Sequence, residues 1–421
     1  MRPSLLLLAA WLVLPPLSAA PRHRLLLRES AIAAQAGDNP TALAQLQEAA
    51  HLRPDYPRIQ LNLARIHAAM NQPAEAIAAL TRLADMGLQM TVATDPGLAS
   101  LRDLPAFQAV AARLTAGPAV PPATATVALV LPDVTGIIES CLLDPVTRQW
   151  YFSDVRHRCI WRRDPGTDAL TRFTSPEDAL DGVFKIALSP DQSTLWAATA
   201  TIGVMTGPDA EDGKRTALVA IDFATGRVRA RHPAPADGRK HLLGDFVIAA
   251  DGSLFATDSI SPIIWRLPAG GTALEPWLES DDFLSLQGLA ISSDGNTLYV
   301  ADYANGIWRV PLATKSPALL LAPADATFFG IDGLYAVAGG LLAVQNGISP
   351  QRVLHIEPAV AAHSPARVLA LGGPELTDLA LGQVLAGRFH FVSGSGWALF
   401  DPPAATAPTE RTVLIHSLAL E

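Results

Sequence analysis

Two carboxylates and one amide stand at matching places in three similar stretches of the chain: Glu139 in IIESCLL, Gln287 in SLQGLAI and Asp332 in GIDGLYAV. Each opens a short apolar run of the kind that forms a buried strand, where a polar side chain needs a reason. Brought to one point, the three offer hard oxygen donors for a divalent cation, Ca²⁺, Mg²⁺, Mn²⁺ or Zn²⁺, with water completing the shell. A structural zinc site is excluded, because no cysteine or histidine joins the set. Without a cation, like charges in a low-dielectric pocket would force one acid to stay protonated. The alternative is that these acids only cap strand ends at a solvated channel mouth.

Residues so far apart along the chain meet only if a repeating fold gathers them. Short apolar runs alternate with tight-turn signals, as in SPDQSTLWAATA, AADGSLFATDS, SSDGNTLYVADY, VAGGLLAVQNG and LAGRFHFVSG. A turn of the Asp-Gly kind followed by a β-branched or aromatic run reads as a hairpin. The ends of the second strands fall at Asp154, Thr199, Asp258, Asp302, Asn346 and Ser393. Six repeats of about 45 residues, one lengthened by the polar insertion GPDAEDGKRTA, predict an all-β six-bladed β-propeller. TVLIHSLAL near the end, or else TVALVLPD at 126, would seal the ring and remove its open edges. Reading back to the start of each innermost strand gives the column Glu139, Phe184, Gly244, Gln287, Asp332 and Thr377. The neighbouring column holds Ser140, Lys185, Asp245, Gly288, Gly333 and Asp378. Inner strands line the axis, so Glu139, Gln287 and Asp332 should converge, with Asp245 and Lys185 beside them. Cys141 and Cys159 fall on the first and third strands of one blade, too far apart for a disulfide, and are expected as buried thiols.

Upstream the period changes. LRESAIAAQAGDNPTALAQLQEAAHLRP and LNLARIHAAMNQPAEAIAALTRLADMG align Ala42 with Ala76 and Leu46 with Leu80. This resembles the tetratricopeptide repeat and predicts a small all-α domain over 24–115, with a capping helix from Pro105. It would dock a protein partner, or serve as a spacer or docking module. Residues 116–126, AGPAVPPATAT, read as an extended linker to a propeller at 127–421. Residues 1–20, with one Arg, a leucine-rich run and small residues near Ala20, fit a signal peptide, which implies export to the periplasm or medium. That run is too short to span a bilayer, and no later segment would span one. Net charge is −9 with no basic run, against a nucleic-acid partner.

Residues 136–400 resemble the senescence-marker-protein/gluconolactonase family of six-bladed propellers, whose relatives include paraoxonases and strictosidine synthases. The resemblance lies in the glutamate strand IIESCLLDPVTRQWYFSD, then LLGDFVIAADGSLFATDS, SLQGLAISSDGNTLYVADY and GIDGLYAVAGGLLAVQN. It implies Glu139, Gln287 and Asp332 as ligands of one divalent cation, Ca²⁺ foremost, and hydrolysis of a lactone or related ester. Two departures stand out. Gln287 replaces the family's Asn, and Gly244 replaces the first residue of its Asn-Asp pair, while Asp245 is kept. Asp332 or Asp245 would act as general base. Lys185 would orient an anionic group or steady an oxyanion, or else be simply solvated. His241 would shuttle protons at the substrate site, or else be an exposed loop residue. Gly-x-Ser-x-Gly elbows, P-loops and dinucleotide fingerprints are absent, and GSGW at 394–397 reads as a turn. The rival readings are a non-catalytic binding propeller and a sugar or lactone sensor.

Overall fold

The blades form because each repeat carries four short runs that alternate inward and outward residues, punctuated by turns. A computed structural model describes residues 21–119, 125–207, 210–360, 362–400 and 410–420. The signal-like segment 1–20 and the middle of the linker lie outside the described residues. Six four-stranded antiparallel sheets make the six blades. Blades 1 to 5 cover 138–172, 182–233, 243–279, 286–319 and 331–371, each in simple sequential order from inner to outer strand. Blade 6 takes three strands from the C-terminal end, 382–385, 388–393 and 411–419, and its outermost strand, 125–134, from the start of the propeller. Both proposed closing segments are therefore used, and in one sheet: Ala125 pairs with Leu418 and Val134 with Arg411. Joining the two ends of the ring in one blade removes a pair of sheet edges.

The core lies between blades rather than within them. Leu142, Tyr151 and Ile160 of blade 1 pack on Ile186, Leu195 and Val219 of blade 2, and similar clusters fill the other seams. Burying each large side chain contributes about 1.5–3 kcal/mol, and contact on both sides fixes the blades around the axis. A recurring latch sets the start of the inner strands. Asp154, Asp258 and Asp302 accept indole N–H bonds from Trp161, Trp265 and Trp308 at 2.9, 3.2 and 3.1 Å. The same carboxylates accept backbone N–H bonds from Ile137, Leu242 and Leu284 at 3.2, 3.0 and 3.0 Å. Cys141 and Cys159 lie on the first and third strands of blade 1 as free, buried thiols.

The helical domain contains α1 (Arg22–Gln35), α2 (Asn39–Leu52), α3 (Pro57–Ala69), α4 (Pro73–Asp85), a short 3₁₀ turn and α5 (Pro105–Ala116). Ala42, Leu46, Ala76 and Leu80 are buried between them, as the repeat alignment requires. None of these helices is long and apolar enough to cross a membrane.

This domain does not stand free. It docks on loops of blades 4 and 5 at the end of the strands where the inner strands begin. Arg53 Nη2 donates to the Asn305 carbonyl at 2.7 Å, and Arg352 Nη1 donates to the Met86 carbonyl at 3.1 Å. Tyr56 meets Phe329 edge to face at 5.5 Å, and Phe329 and Ile348 join the helical core.

Candidate active site

Five inner strands begin with the same irregularity. Their pairing register slips after Ile138, Val183, Leu243, Leu286 and Ile331. The residue after each slip point is Glu139, Phe184, Gly244, Gln287 or Asp332, the column expected from the repeat. A bulge re-aims a side chain that regular pleating would hold against a neighbouring blade. In blade 6 the equivalent position is Leu379 rather than Thr377. Gly394 N bonds to Thr377 O at 2.7 Å just as Val155 N bonds to Ile137 O at 2.9 Å, so Thr377 matches Ile137. Gly288 makes the close approach of blades 4 and 5 possible: a Cβ there would stand 2.4 Å from Leu334 N and 2.5 Å from Asp332 O.

Glu139 is 6% exposed and accepts the indole N–H of Trp397 on Oε2. Burial, then the charge of Asp332, pushes its pKa well above the ordinary carboxylate value, against the Trp397 bond. Burial also raises Asp332, while the Asn346 amide and the Lys185 charge pull the other way. Asn346 Nδ2 donates to Asp332 Oδ2 at 2.7 Å and to the Leu379 carbonyl at 2.9 Å. Its Oδ1 is buried and has no partner among the described residues.

Lys185, only 6% exposed, is not a solvated surface lysine. Its ammonium lies 3.4 Å from the Asp245 carboxylate, 3.4 Å from the Tyr335 hydroxyl and 4.5 Å from that ring's centre. Burial opposes its charge, but Asp245 and Tyr335 outweigh that and raise its pKa, so it stays protonated. Burial pushes Asp245 up to about 6 in spite of Lys185, and pushes Tyr335 up to about 12.

Gln287 and Gly244, the two departures from the family pattern, touch the same space. A Cβ on Gly244 would stand 2.9 Å from Ser259 Oγ and 3.8 Å from Gln287 Oε1. The longer Gln287 arm thus reaches toward room that a side chain at 244 would fill. Ser259 Oγ donates to Gln287 Oε1 at 3.4 Å, and Gln287 Nε2 donates to Ser285 Oγ at 3.1 Å.

His241 does not join this group, and neither an exposed nor a shuttling residue describes it. Its ring bonds to Asp258 through Nδ1 at 2.6 Å and to Asp237 through Nε2 at 2.9 Å, which leaves no ring nitrogen for a substrate. Burial disfavours the charged ring, but the two carboxylates prevail and its pKa is raised. Trp397, Asn346 and Tyr335 were missed by reading the sequence. Asn346 carried a signal as the amide among the strand-end anchors. Trp397 carried none, since it sits in the segment that reads as a turn.

The donor set suits a hard cation. Asp245 is paired with Lys185, while Glu139 is repelled by Asp332 and Asp378, so the ionised acids leave an excess negative charge that a divalent ion would offset. The Gln287 carbonyl and the unpartnered Asn346 Oδ1 supply neutral oxygens. Among the described residues no three Asp, Glu, His or Cys side chains gather closely enough to hold a metal by themselves, so such an ion would depend on these amides.

Comparison with known proteins agrees with this architecture. Residues 33–88 match the tetratricopeptide repeat, and residues 137–379 match the SMP-30/gluconolactonase/LRE-like region. No curated protein matches the sequence. Similar solved structures include the PQQ-bound aldose sugar dehydrogenase of Streptomyces coelicolor, at 15% identity and TM-score 0.45, covering 71% of this chain and 100% of that one. A luciferin-regenerating enzyme is 17% identical with TM-score 0.44, covering 69% and 95%. Virginiamycin B lyase of Staphylococcus aureus is 13% identical with TM-score 0.43, covering 70% and 100%. Likenesses at this level assign no chemistry. With the family match extending over more than half of its length, the chain belongs to the SMP-30/gluconolactonase/LRE-like family.

Proposed function

We propose that the protein is a divalent-metal-dependent hydrolase of a lactone or related ester, exported after loss of residues 1–20. The observation that carries the reading is the pair of mutually repelling acids, buried Glu139 and half-buried Asp332, beside the unpartnered Asn346 oxygen. Glu139, Gln287 and Asp332, with Asn346, would hold the ion, Ca²⁺ foremost. When bound, it supplies Lewis-acid polarisation of a carbonyl oxygen.

The chain's own residues do the rest. Trp397, stacked on Phe184 at 6.2 Å, fixes Glu139 and shields it from water. Asp245 is mostly ionised at neutral pH and takes the proton of the attacking water. Lys185, itself bonded to the Tyr335 hydroxyl, holds Asp245 in place and steadies its charge. The Gly244 and Gln287 replacements favour a second reading, a sensor that binds a lactone without turning it over.

Aryl-ester and gluconolactone hydrolysis, measured with EDTA and then with added Ca²⁺, Mn²⁺ or Zn²⁺, tests the reading. Chelator-sensitive turnover that Asp332→Ala abolishes supports the hydrolase. Cation binding without turnover supports the sensor, and neither would sink both. Sequencing the N-terminus of the protein from periplasm or medium tests export: a start near residue 21 is expected.

A further inference from the structure

Tyr303 follows the latch carboxylate Asp302, and its backbone is fixed on both sides. Its N–H donates to the Ser285 carbonyl at 2.8 Å, and its carbonyl accepts from Gly330 N at 2.9 Å. The ring reaches over Gly347, the neighbour of Asn346: a Cβ there would stand 2.6 Å from Tyr303 Cζ and 2.7 Å from its Oη. After burial, the charges of Asp332 and Glu139 are what push its pKa up, so the hydroxyl lies within their field. That hydroxyl makes no hydrogen bond to any described residue, and Tyr303 is half-buried. An O–H held over Gly347, next to the Asn346 whose amide bonds to Asp332, and without a partner among the described residues, is a donor for a ligand oxygen.

The helical domain braces this ring. Phe329 lies 6.5 Å from Tyr303 and 5.5 Å from Tyr56 of the α2–α3 loop. Arg53, paired with Asp55 at 2.8 Å, grips the carbonyl of Asn305, next but one to Tyr303.

We infer that Tyr303 is a catalytic donor, its hydroxyl hydrogen-bonding to the ester carbonyl oxygen as charge develops there, and that the helical domain positions it through Phe329. The inference rests on the hydrolase reading above. Water's oxygen bonds to the carbonyl carbon while the C=O pair moves onto oxygen, and Tyr303 stabilises that oxyanion without giving up its proton. Collapse breaks the ester C–O bond, and the leaving alkoxide takes the proton that water gave to Asp245.

Phenyl acetate hydrolysis in saturating Ca²⁺ tests this, alongside Tb³⁺ emission sensitised by Trp397 as a separate measure of cation binding. Removing one oxyanion donor costs about 100-fold or more, so Tyr303→Phe should lower kcat by about that factor, with KM and Tb³⁺ affinity within about twofold of wild type. Tyr56→Ala should lower kcat by about tenfold, and Tyr56→Phe, which keeps the ring, should restore it. If Tyr56→Ala does not fold, Phe329→Leu tests the same contact and should show the same loss. Wild-type turnover with an unchanged kcat in Tyr303→Phe overturns the donor role alone. An unchanged kcat in both Tyr56→Ala and Phe329→Leu overturns the support role. A wild type that binds Tb³⁺ yet hydrolyses no ester overturns the hydrolase reading and this inference with it.

Discussion

Buried charge is handled in opposite ways at the seam between the two domains and at the propeller axis. At the seam, Arg53 and Asp55 are 4% and 3% exposed and bonded through two contacts of 2.8 and 3.0 Å, with the Asn305 carbonyl as a further acceptor. At the axis, Glu139 and Asp332 form no ion pair among the described residues, and Lys185 is paired with Asp245. A paired charge is expensive to break and serves architecture. An unpaired one raises the free energy of the fold and is relieved by a ligand of opposite sign. The difference separates the part of the molecule that holds shape from the part that holds chemistry.

Substitutions at the two places should therefore act with opposite signs. Asp332→Asn is expected to lower ester turnover by about a thousandfold or more and to abolish sensitised Tb³⁺ emission. The same change should leave the metal-free protein more stable, by about 1 kcal/mol, because it removes a repulsion. Urea unfolding in EDTA reads the second effect, and a loss of stability there would break the comparison.

Asp55→Asn should do the reverse, destabilising the fold by about 3 kcal/mol through an uncompensated Arg53. Urea unfolding also reads this, and a stability equal to wild type would show that the seam pair carries no load.

The pH dependence sharpens the same contrast. Asp245 has a folded pKa of about 6, raised from 3.8. The folded state therefore holds this proton more tightly than the unfolded chain. Its contribution to stability is present below about pH 4 and is lost as pH rises to about 6, an effect of about 3 kcal/mol. Melting temperatures from pH 4 to 7 in EDTA should reveal that loss against Asp245→Asn, which lacks it. Turnover with Ca²⁺ should fall instead as pH drops below about 6, because the base becomes protonated.

The smallest expected effect concerns the two family departures. Gly244→Asn crowds the Gln287 amide and should weaken Ca²⁺ about tenfold, and adding Gln287→Asn should restore most of that. Calorimetric titration of the two single variants and the double variant measures the coupling; purely additive losses would show that the positions are independent.

Much of the axis is legible in the sequence. The bulge that starts five of the inner strands recurs with the turn signals, so counting back from Asp154, Asp258 and Asp302 reaches Glu139, Gly244 and Gln287. In blade 6 the matching residue is Leu379, fourteen before Ser393 as Gly244 is before Asp258, and the column residue Thr377 stands two positions too far back. Lys185 was found but not its burial, because Asp245 and Tyr335 belong to other blades. Trp397, 258 residues from its partner Glu139, lies in a loop outside the repeat, where periodicity has no reach.

By itself the sequence determined the helical repeats, the six blade-lengths and the strand starts at which the acids stand, because periodic burial and turn chemistry are local and repeat along the chain. Ring closure and domain docking decided the rest: the Trp397 bond to Glu139, the orphaned Asn346 oxygen, the Lys185–Asp245 pair and the bracing of Tyr303 from the helical side. Those depend on which distant side chains share a low-dielectric space, and only the packed tertiary structure sets that.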